Sequence, residues 1–306
     1  MSILVVGSIA LDSIKTPFGE KIEVLGGSAT YFSYSASFFA DVKMVGVVGK
    51  DFPEEHTSLL KARGIDTRGI EVTNGKTFRW VGEYEFDMNV AQTKATHLNV
   101  FENFCPKIPD DYKKCGTVFL ANIDPDLQLD VLNKVDKPNL VVCDTMNLWI
   151  EIKKKSLEKL VSRVDIVIMN DSEAREFTEE ASLIKAGIRL LKMGLKYCVI
   201  KKGEHGALLF SHHGIFSAPS YPLETVYDPT GAGDAFAGGF VGYIDRINKV
   251  DEQTLRQAMI CGSVMASFNV EDFSLERLKS LNLDGIISRY KEFKQFSHFE
   301  EPELSL

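Results

Sequence analysis

The sequence has few of the features that mark exported, membrane-spanning or zinc-binding proteins. Its five cysteines are scattered and never form a Cys-x-x-Cys pair, which argues against both a disulfide framework and a structural zinc site. No apolar run reaches the roughly 18 residues of a membrane helix, and no charged-then-apolar segment opens the chain. We therefore expect a cytoplasmic protein that is neither exported nor membrane-spanning.

Basic clusters are scarce as well. The net charge is −8, and the longest basic run, Lys153–Lys155, is typical of a solvated helix start. The composition therefore argues against polymeric nucleic acid as a partner. With 306 residues, of which 44% are apolar, the chain is long enough to bury a substantial core, and we expect a single domain over residues 1–306.

Short β-branched runs alternate with helix-length stretches along the chain. The predicted buried strands are Ile3–Val6, Val42–Val48, Thr117–Ala121, Leu140–Cys143, Asp165–Met169 and Tyr197–Lys201. This alternation predicts a mainly parallel sheet with helices on both faces, which binds ligands at the carboxyl ends of its strands. The polar residues that follow predicted strands are Asp12, Asn122, Asp124, Asp144, Asn147, Asn170 and Glu173.

Residues 70–104 break this rhythm. Thr77–Phe86 alternates apolar and polar side chains, as a strand with one covered face does, and Ala95–Val100 is expected to pair with it. Together with Lys21–Leu25, these strands predict a small β lid formed from about residues 15–25 and 70–104. An edge extension of the main sheet is the alternative. The lid's aromatic face would cover a substrate or a partner's lid, so a lid-mediated homodimer is one candidate assembly; its residues are Phe78, Trp80, Tyr84 and Phe86.

Residues 228–236, Asp-Pro-Thr-Gly-Ala-Gly-Asp-Ala-Phe, combine a small-residue turn, an acid and a helix start. The proline-free run Ala232–Ile244 is expected to be helical. The amides of Gly231, Ala232 and Gly233 would then lie unpaired at its N-terminus, where a phosphoryl group binds. Asp234 would act as the base that takes the proton from an attacking alcohol. A tight turn followed by a dipole-matched aspartate is the structural alternative.

The same segment does not match two common nucleotide-binding motifs. A Rossmann fingerprint needs a third glycine where Phe236 stands, and a Walker A loop needs a Gly-Lys-Ser/Thr ending. Nucleotide-linked redox chemistry is therefore disfavoured. Because no lysine stands beside the glycines to neutralise a triphosphate, a Mg²⁺ ion is implied.

Several segments resemble signatures of the PfkB/ribokinase family of sugar and nucleoside kinases. Residues 228–240 resemble its C-terminal signature, and Gly26–Thr30 resembles its earlier glycine pair. Further similar segments are Leu4–Asp12, Val45–Asp51, Asn170–Ala174 and Lys202–Gly206, so that the resemblance covers roughly residues 1–270. It implies a ribokinase-like three-layer α/β/α sandwich and the transfer of phosphate from ATP to the primary hydroxyl of a sugar or nucleoside.

The motifs and the resemblance together predict a set of site residues. The residues expected to act in catalysis are Asp234, Gly231, Ala232 and Gly233. Those expected to bind substrate are Asp12, Gly26, Gly27, Tyr31 and Asn122. Those expected to bind nucleotide are Asn170, Lys202, Gly203, Gly206, Asp228 and Thr230. Glu173 and Asn170 would hold waters of the Mg²⁺ ion, as the resemblance suggests.

Several of these residues have a structural alternative. Asn170 and Glu173 match a helix capping box, and Gly203 and Gly206 also suit a β-hairpin between Val199–Lys202 and Ala207–Phe210. Lys201 and Lys202 could neutralise phosphate, but lysines at exposed strand ends are usually solvated. Asp12 is the best candidate acceptor for substrate hydroxyls, and the Gly26–Gly27 pair would let a substrate ring approach the backbone.

The chain departs from the family pattern in two places. Tyr31 stands where many members have asparagine, and Phe268–Phe273 lacks the Gly-Ala loop that often closes the adenine and monovalent-cation pockets. A monovalent cation is therefore only a candidate beside ATP and Mg²⁺. The aromatic residues near the lid favour a ribosyl substrate such as adenosine or ribose, since a base can stack on a ring. A catalytically silent sugar or nucleoside sensor is the alternative function.

Overall fold

The computed structural model describes residues 2–300. The strands are β1 Ser2–Val6, β2 Ala10–Thr16, β3 Gly19–Gly26, β4 Asp41–Gly49, β5 Asp66–Thr73, β6 Phe78–Glu83, β7 Gln92–His97, β8 Thr117–Leu120, β9 Leu140–Asp144, β10 Ile166–Asn170, β11 Tyr197–Lys201, β12 Ala207–Ser211 and β13 Gly214–Ala218. The helices are α1 Ser28–Ala36, α2 Glu54–Ala62, α3 Pro125–Lys134, α4 Asn147–Ile152, α5 Lys154–Val161, α6 Asp171–Thr178, α7 Leu183–Lys192, α8 Ala232–Ile247, α9 Glu252–Asn269, α10 Glu276–Lys279 and α11 Leu283–Ser297.

A nine-stranded sheet forms the centre of the molecule, in the order β13-β12-β11-β10-β9-β8-β1-β4-β5. The pairs from β11 to β5 are parallel, whereas β12 pairs antiparallel with both β11 and β13. Both faces of the sheet are apolar: along β1, Ile3 and Val5 pack in one buried cluster, whereas Leu4 and Val6 pack in another. Helices α1, α8 and α9 contribute to the first cluster, and α3, α5, α6 and α7 to the second. The predicted three-layer α/β/α arrangement is therefore confirmed.

A separate four-stranded sheet has the order β3-β2-β6-β7, so the edge-extension alternative is wrong. Its makeup differs from the prediction in three ways. Strand β2 was not predicted, and it pairs antiparallel with β3 and parallel with β6. Strand β5 pairs with β4 in the large sheet, so residues 70–73 are not part of the small one. Strand β7 is Gln92–His97 rather than Ala95–Val100.

The chain itself covers part of the predicted aromatic face. Trp80 and Tyr84 pack with Ile14 and Phe273 in a small apolar cluster, because β2 lies beside β6. By contrast, Phe86 is fully exposed. Whether this sheet acts as a lid, and whether residues 1–306 behave as one domain, stay predictions.

The sequence predicts that the piece from Glu271 onward forms a peripheral helix followed by a frayed, charged end at residues 300–303. In the structure this piece contains α11. The end of the predicted frayed tail, residues 301–303, lies outside the described residues. Within residues 2–300, no helix combines the length and apolar character needed to cross a membrane.

Candidate active site

The helix α8 begins at the glycine turn where the sequence predicts an anion-binding loop, and one of the predicted free donors is already used. Gly231 caps the helix with φ +74°, and a Cβ there would lie 2.3 Å from the ring of Tyr31. The Ala232 N–H donates to Pro229 O at 3.1 Å, so it is occupied within the turn and is not one of the free donors that the sequence predicted. Within residues 2–300, we find no protein acceptor for the N–H groups of Gly231 and Gly233. These two amides remain available to an anion at the positive end of the helix dipole.

Asp228 and Thr230 hold the turn in place. The buried carboxylate of Asp228 accepts the N–H of Thr230 at 2.9 Å and the N–H of Ser274 at 3.1 Å. Asn269 Nδ2 donates to Thr230 O at 2.8 Å, and Thr230 Oγ1 donates to the Tyr84 hydroxyl at 3.3 Å. These contacts account for both residues structurally; their predicted nucleotide contacts stay predictions.

Three carboxylates lie around one lysine at the carboxyl edge of the sheet. Lys201 Nζ lies 3.1 Å from Asp144 Oδ2, and Asp144 Oδ1 accepts the N–H of Thr145 at 2.7 Å. Burial alone would lower the pKa of Lys201, but the negative charges of Asp144, Glu173 and Asp234 raise it above its ordinary value. Lys201 is therefore a charged group inside the site.

Two acids of this group, Asp234 and Glu173, hold their protons unusually strongly. Burial, followed by repulsion from Asp144, raises the pKa of Asp234 well above its ordinary range, although Lys201 opposes the shift. The same two causes raise the pKa of Glu173 to about 8. Such shifts are common where acid–base chemistry is performed, although structural ion pairs also produce them.

These residues fit a Mg²⁺ ion that shares phosphate oxygens and waters. Carboxylate oxygens are the hard donors that Mg²⁺ prefers, and the cluster around Lys201 carries more acids than bases. Among residues 2–300, no group of three or more acidic, histidine or cysteine side chains is arranged to hold a metal by itself. The protein thus offers partial coordination rather than a closed cage.

Asn170 and Glu173 form the capping box that was the structural alternative. Asn170 Oδ1 accepts the N–H of Glu173 at 2.8 Å, and Glu173 Oε2 accepts the N–H of Asn170 at 2.7 Å. Asn170 Nδ2 also donates to Glu173 Oε1 at 2.7 Å. The box begins α6 and fixes Glu173 in the acid cluster, whereas its predicted contact with metal-bound water stays a prediction.

The Gly26–Gly27 pair makes room for protein atoms, which differs from the predicted reason. A Cβ on Gly26 would lie 1.9 Å from Asp12 Oδ2, and one on Gly27 would lie 2.5 Å from Ser8 O. Asp12 lies within β2 and is buried. Burial raises its pKa to about 7, although the Gly27 N–H lowers it in part; the charge of Asp228 adds to the rise.

Tyr31 connects the two glycine turns. It is buried on α1, its ring lies against Gly231, and its hydroxyl has no hydrogen-bond partner within residues 2–300. Burial and the nearby charge of Asp12 raise the pKa of this hydroxyl well above its ordinary value. A neutral hydroxyl with no protein partner suits a contact with a polar ligand.

Three polar residues that follow strand ends have structural roles. Asn122 Oδ1 accepts Trp149 Nε1–H at 2.9 Å, and Asp124 caps α3 by accepting the N–H of Asp126 at 2.9 Å. Asn147 Nδ2 donates to Glu176 Oε2 at 2.6 Å. The side-chain oxygen of Asn122 is thus used by Trp149, and the predicted contact of Asn122 with substrate stays a prediction.

A cavity of about 430 Å³ opens beside the first turn of α8. The predicted β-hairpin is confirmed, because β11 and β12 pair antiparallel with Lys201 opposite Ala207. Its turn contributes Gly203 and Gly206 to the cavity wall; Lys202 is not among the lining residues. The rest of the wall includes Tyr221, Leu223, Phe236, Ser263, Ala266 and Val270.

Sequence reasoning left the role of Lys201 open and missed the wall from residues 220–226 and 263–270. A usable signal for Lys201 was present, since it ends a buried strand just before a Gly-x-x-Gly turn. In the structure it stands in register with Asn170 of β10. The wall residues carry no motif that would have identified them.

Comparison with protein families and curated sequences gives concordant matches. A family model described as pfkB family carbohydrate kinase matches residues 112–278. The chain is 32% identical to cytidine kinase of Thermococcus kodakarensis over 259 residues, which cover 82% of this chain and 91% of that protein. It is 26% identical to nucleoside kinase of Methanocaldococcus jannaschii over 154 residues, which cover 50% of this chain and 48% of that protein.

Solved structures are similar in fold. The crystal structure of Methanocaldococcus jannaschii nucleoside kinase aligns with a TM-score of 0.75 at 20% identity, covering 95% of this chain and 98% of that chain. Burkholderia thailandensis nucleoside kinase in complex with inosine aligns with a TM-score of 0.77 at 20% identity, covering 95% of this chain and 96% of that chain. At these identities the likeness concerns the fold.

Proposed function

Because the chain belongs to the pfkB family of carbohydrate kinases, we propose that it transfers the γ-phosphoryl group of ATP to the primary hydroxyl of a nucleoside. It is an ATP-dependent carbohydrate or nucleoside kinase; the nucleoside acceptor is the proposal. The observation that carries it is the start of α8, where the N–H groups of Gly231 and Gly233 have no protein acceptor, Asp234 lies in the first turn, and Gly233 lines a cavity of about 430 Å³. Cytidine and nucleoside kinases among the similar proteins favour a nucleoside over a free sugar.

In the proposed reaction, the acceptor oxygen forms a bond to the γ-phosphorus while the bond from that phosphorus to the β–γ bridging oxygen breaks. The bridging oxygen keeps the electron pair and leaves on ADP, and the acceptor proton moves to a carboxylate oxygen of Asp234. The amides of Gly231 and Gly233 stabilise the charge on the equatorial oxygens. When bound, Mg²⁺ supplies further neutralisation of the phosphate charge.

The elevated pKa of Asp234 suits this role. A carboxylate that binds protons strongly is a better acceptor for the proton of an alcohol, but only its ionised form can accept one. The positive charge of Lys201 lowers this pKa and so favours the ionised form. We therefore expect the rate to rise with pH until Asp234 is ionised in the enzyme–substrate complex.

On the acceptor side, Asp12 and Tyr31 are the proposed contacts. Tyr31 touches Gly231, so a substrate held by these two side chains would lie across the turn from the cavity that holds ATP. The preference for adenosine or ribose stays a prediction, and cytidine joins the acceptors to be tested. A monovalent cation, a lid-mediated homodimer and a cytoplasmic location also stay predictions.

The test is substrate-dependent release of ADP by the purified full chain with cytidine, uridine, adenosine, inosine, ribose and fructose. We expect ADP release with at least one nucleoside. We expect Asp234→Asn to lower kcat by roughly 10²- to 10⁴-fold, because it removes the base. Asp126→Asn is the matched control, since Asp126 also lies in the first turn of a helix but is 51% exposed and pairs with Lys153.

Three outcomes would contradict the proposal. ADP release with sugars alone would assign a different acceptor. Nucleoside binding without ADP release from any acceptor would instead favour the silent sensor. Wild-type turnover by Asp234→Asn would remove the assigned base.

A further inference from the structure

Lys201 occupies a position that a solvated surface lysine would not. It ends β11 beside Asn170 and lines the cavity, and its side chain is only 17% exposed. The sequence left open whether Lys201 neutralises phosphate or is solvated. The structure places it among the carboxylates of Asp144, Glu173 and Asp234.

The ammonium group of Lys201 has donors to spare. Lysine carries three N–H donors, and Nζ contacts Asp144 Oδ2 at 3.1 Å. Within residues 2–300 we find no second acceptor for it. A Cβ on Gly233 would lie 2.8 Å from Nζ, so the ammonium lies beside the first turn of α8. Free N–H groups of Lys201 and Gly233 are thus neighbours.

We propose that Lys201 contacts the transferring phosphoryl group of ATP, together with the Gly231 and Gly233 amides, and that Asp144 positions it. This inference rests on the proposed function. Asp144 is fixed from both sides, because Oδ1 accepts the Thr145 N–H and Oδ2 accepts Lys201. A triphosphate adds negative charge next to three acids, and a desolvated lysine can offset that charge.

An alternative is that Lys201 only stabilises the fold as a buried ion pair with Asp144. Removing one partner of such a pair destabilises a protein whatever its ligands are. Phosphate contact makes a different prediction: the variant loses affinity for ligands in proportion to the phosphates they carry. Affinity for an ATP analogue relative to AMP therefore separates the two roles.

The experiment uses Lys201→Met in the full chain and measures the Kd of a non-hydrolysable ATP analogue and of AMP by calorimetry, and kcat with the best acceptor. We expect analogue binding to weaken about tenfold or more and AMP binding to change less than about twofold. We expect kcat to fall by roughly 10²-fold, as for loss of a charge-stabilising donor. Lys196→Met is the matched control, because Lys196 precedes the same strand, pairs with Asp165 at 2.7 Å and is 67% exposed.

Lys201→Arg gives a second measure that does not depend on the folding of the Met variant. It keeps the charge, so we expect the analogue-to-AMP affinity ratio to stay near that of the wild type, while kcat falls about tenfold because a planar guanidinium replaces a compact charge. Wild-type ratios and wild-type kcat in the folded Lys201 variants would overturn the proposal. If the wild type itself forms no ADP, the proposed function is wrong, and the affinity ratio still decides whether Lys201 contacts phosphate.

Discussion

The starts of α1 and α8 have the same glycine cap but differ in whether protein atoms accept their first N–H groups. Each helix is capped by a glycine with positive φ, +95° at Gly27 and +74° at Gly231, and neither has a side-chain cap. At α1, protein atoms take the first amides: the Ser28 N–H donates to Ser8 Oγ and the Ala29 N–H to Ser8 O, both at 3.0 Å. At α8, the Gly233 N–H has no acceptor within residues 2–300.

The two helix starts show that a tight glycine turn and a free N–H group are separate properties. A glycine pair indicates that the chain passes close to something, but what it approaches decides its role. Gly27 approaches the main chain at Ser8, whereas Gly231 approaches the ring of Tyr31. We infer that the first turn serves the assembly of the site and the second serves the ligand.

The largest expected effect on stability is that of Gly27→Ala. A Cβ there would lie 2.5 Å from Ser8 O and 2.8 Å from Ala10 N, which are main-chain atoms that cannot swing away. We expect the free energy of unfolding to fall by about 3 kcal/mol, from strain at positive φ together with the clash. Urea unfolding measures it.

Gly64→Ala is the control for backbone strain alone. Gly64 has φ +83°, but a Cβ there would meet no atom within 4 Å. Its expected cost is about 1 kcal/mol. If Gly27→Ala costs no more than Gly64→Ala, the first turn is not closed by Ser8 as described.

The second prediction concerns the acid beside α1. The pKa of Asp12 is raised to about 7 by burial, so the folded state binds a proton that the unfolded state releases near pH 4. The contribution of Asp12 to the free energy of unfolding is therefore fully present in acid and is lost as the pH rises from about 4 to about 7. The expected loss from Asp12 is about 2 kcal/mol between about pH 5 and about pH 7.

Urea unfolding of the wild type and of Asp12→Asn at both pH values measures this contribution. The variant cannot ionise at residue 12, so it should lose less stability than the wild type over the same interval. Glu173, with its pKa raised to about 8, acts with the same sign and leaves a residual slope. Equal slopes in the two proteins would show that Asp12 ionises freely in the folded state.

The smallest stability effect is expected at the second turn. In Gly233→Ala the nearest atom to the new methyl is Lys201 Nζ at 2.8 Å, the mobile end of a side chain. We expect the free energy of unfolding to stay within about 1 kcal/mol of the wild type, since alanine also favours the helix. Displacement of the ammonium should nevertheless lower kcat about tenfold, which corresponds to ~1.4 kcal/mol in the barrier.

Coupled measurement of ADP release and urea unfolding on the same sample checks the Gly233→Ala prediction. Loss of stability without loss of kcat would make the second turn resemble the first. The two glycine variants thus test the comparison from opposite sides.

The central sheet could be predicted because its strands are apolar on both faces. Tyr197–Lys201 was predicted with the bounds that the structure gives, and Ile3–Val6 differs from β1 by one residue. Strand β2 was missed because Asp12 was expected to follow the end of the first strand rather than to lie within a second one. In the fold, pairing on both sides stabilises it.

The site was less accessible to sequence reasoning, because its key relationships depend on register. The cluster around Lys201 exists only because β9, β10 and β11 end side by side and α8 begins next to them. Likewise, the hydrogen bond from Ala232 to Pro229 depends on the shape of the turn. A motif names the residues of such a turn but does not tell which of its donors are already used.

One serine joins parts of the molecule that are far apart in sequence. Ser274 donates its N–H to Asp228 Oδ2 at 3.1 Å and its hydroxyl to Leu25 O at 2.6 Å. Ser274 therefore links the turn before α8, through Asp228, to the buried end of β3, through Leu25. If the small sheet moves over a substrate, its end at Leu25 stays fixed and the movement belongs to its solvent-exposed end, Gly19–Glu23.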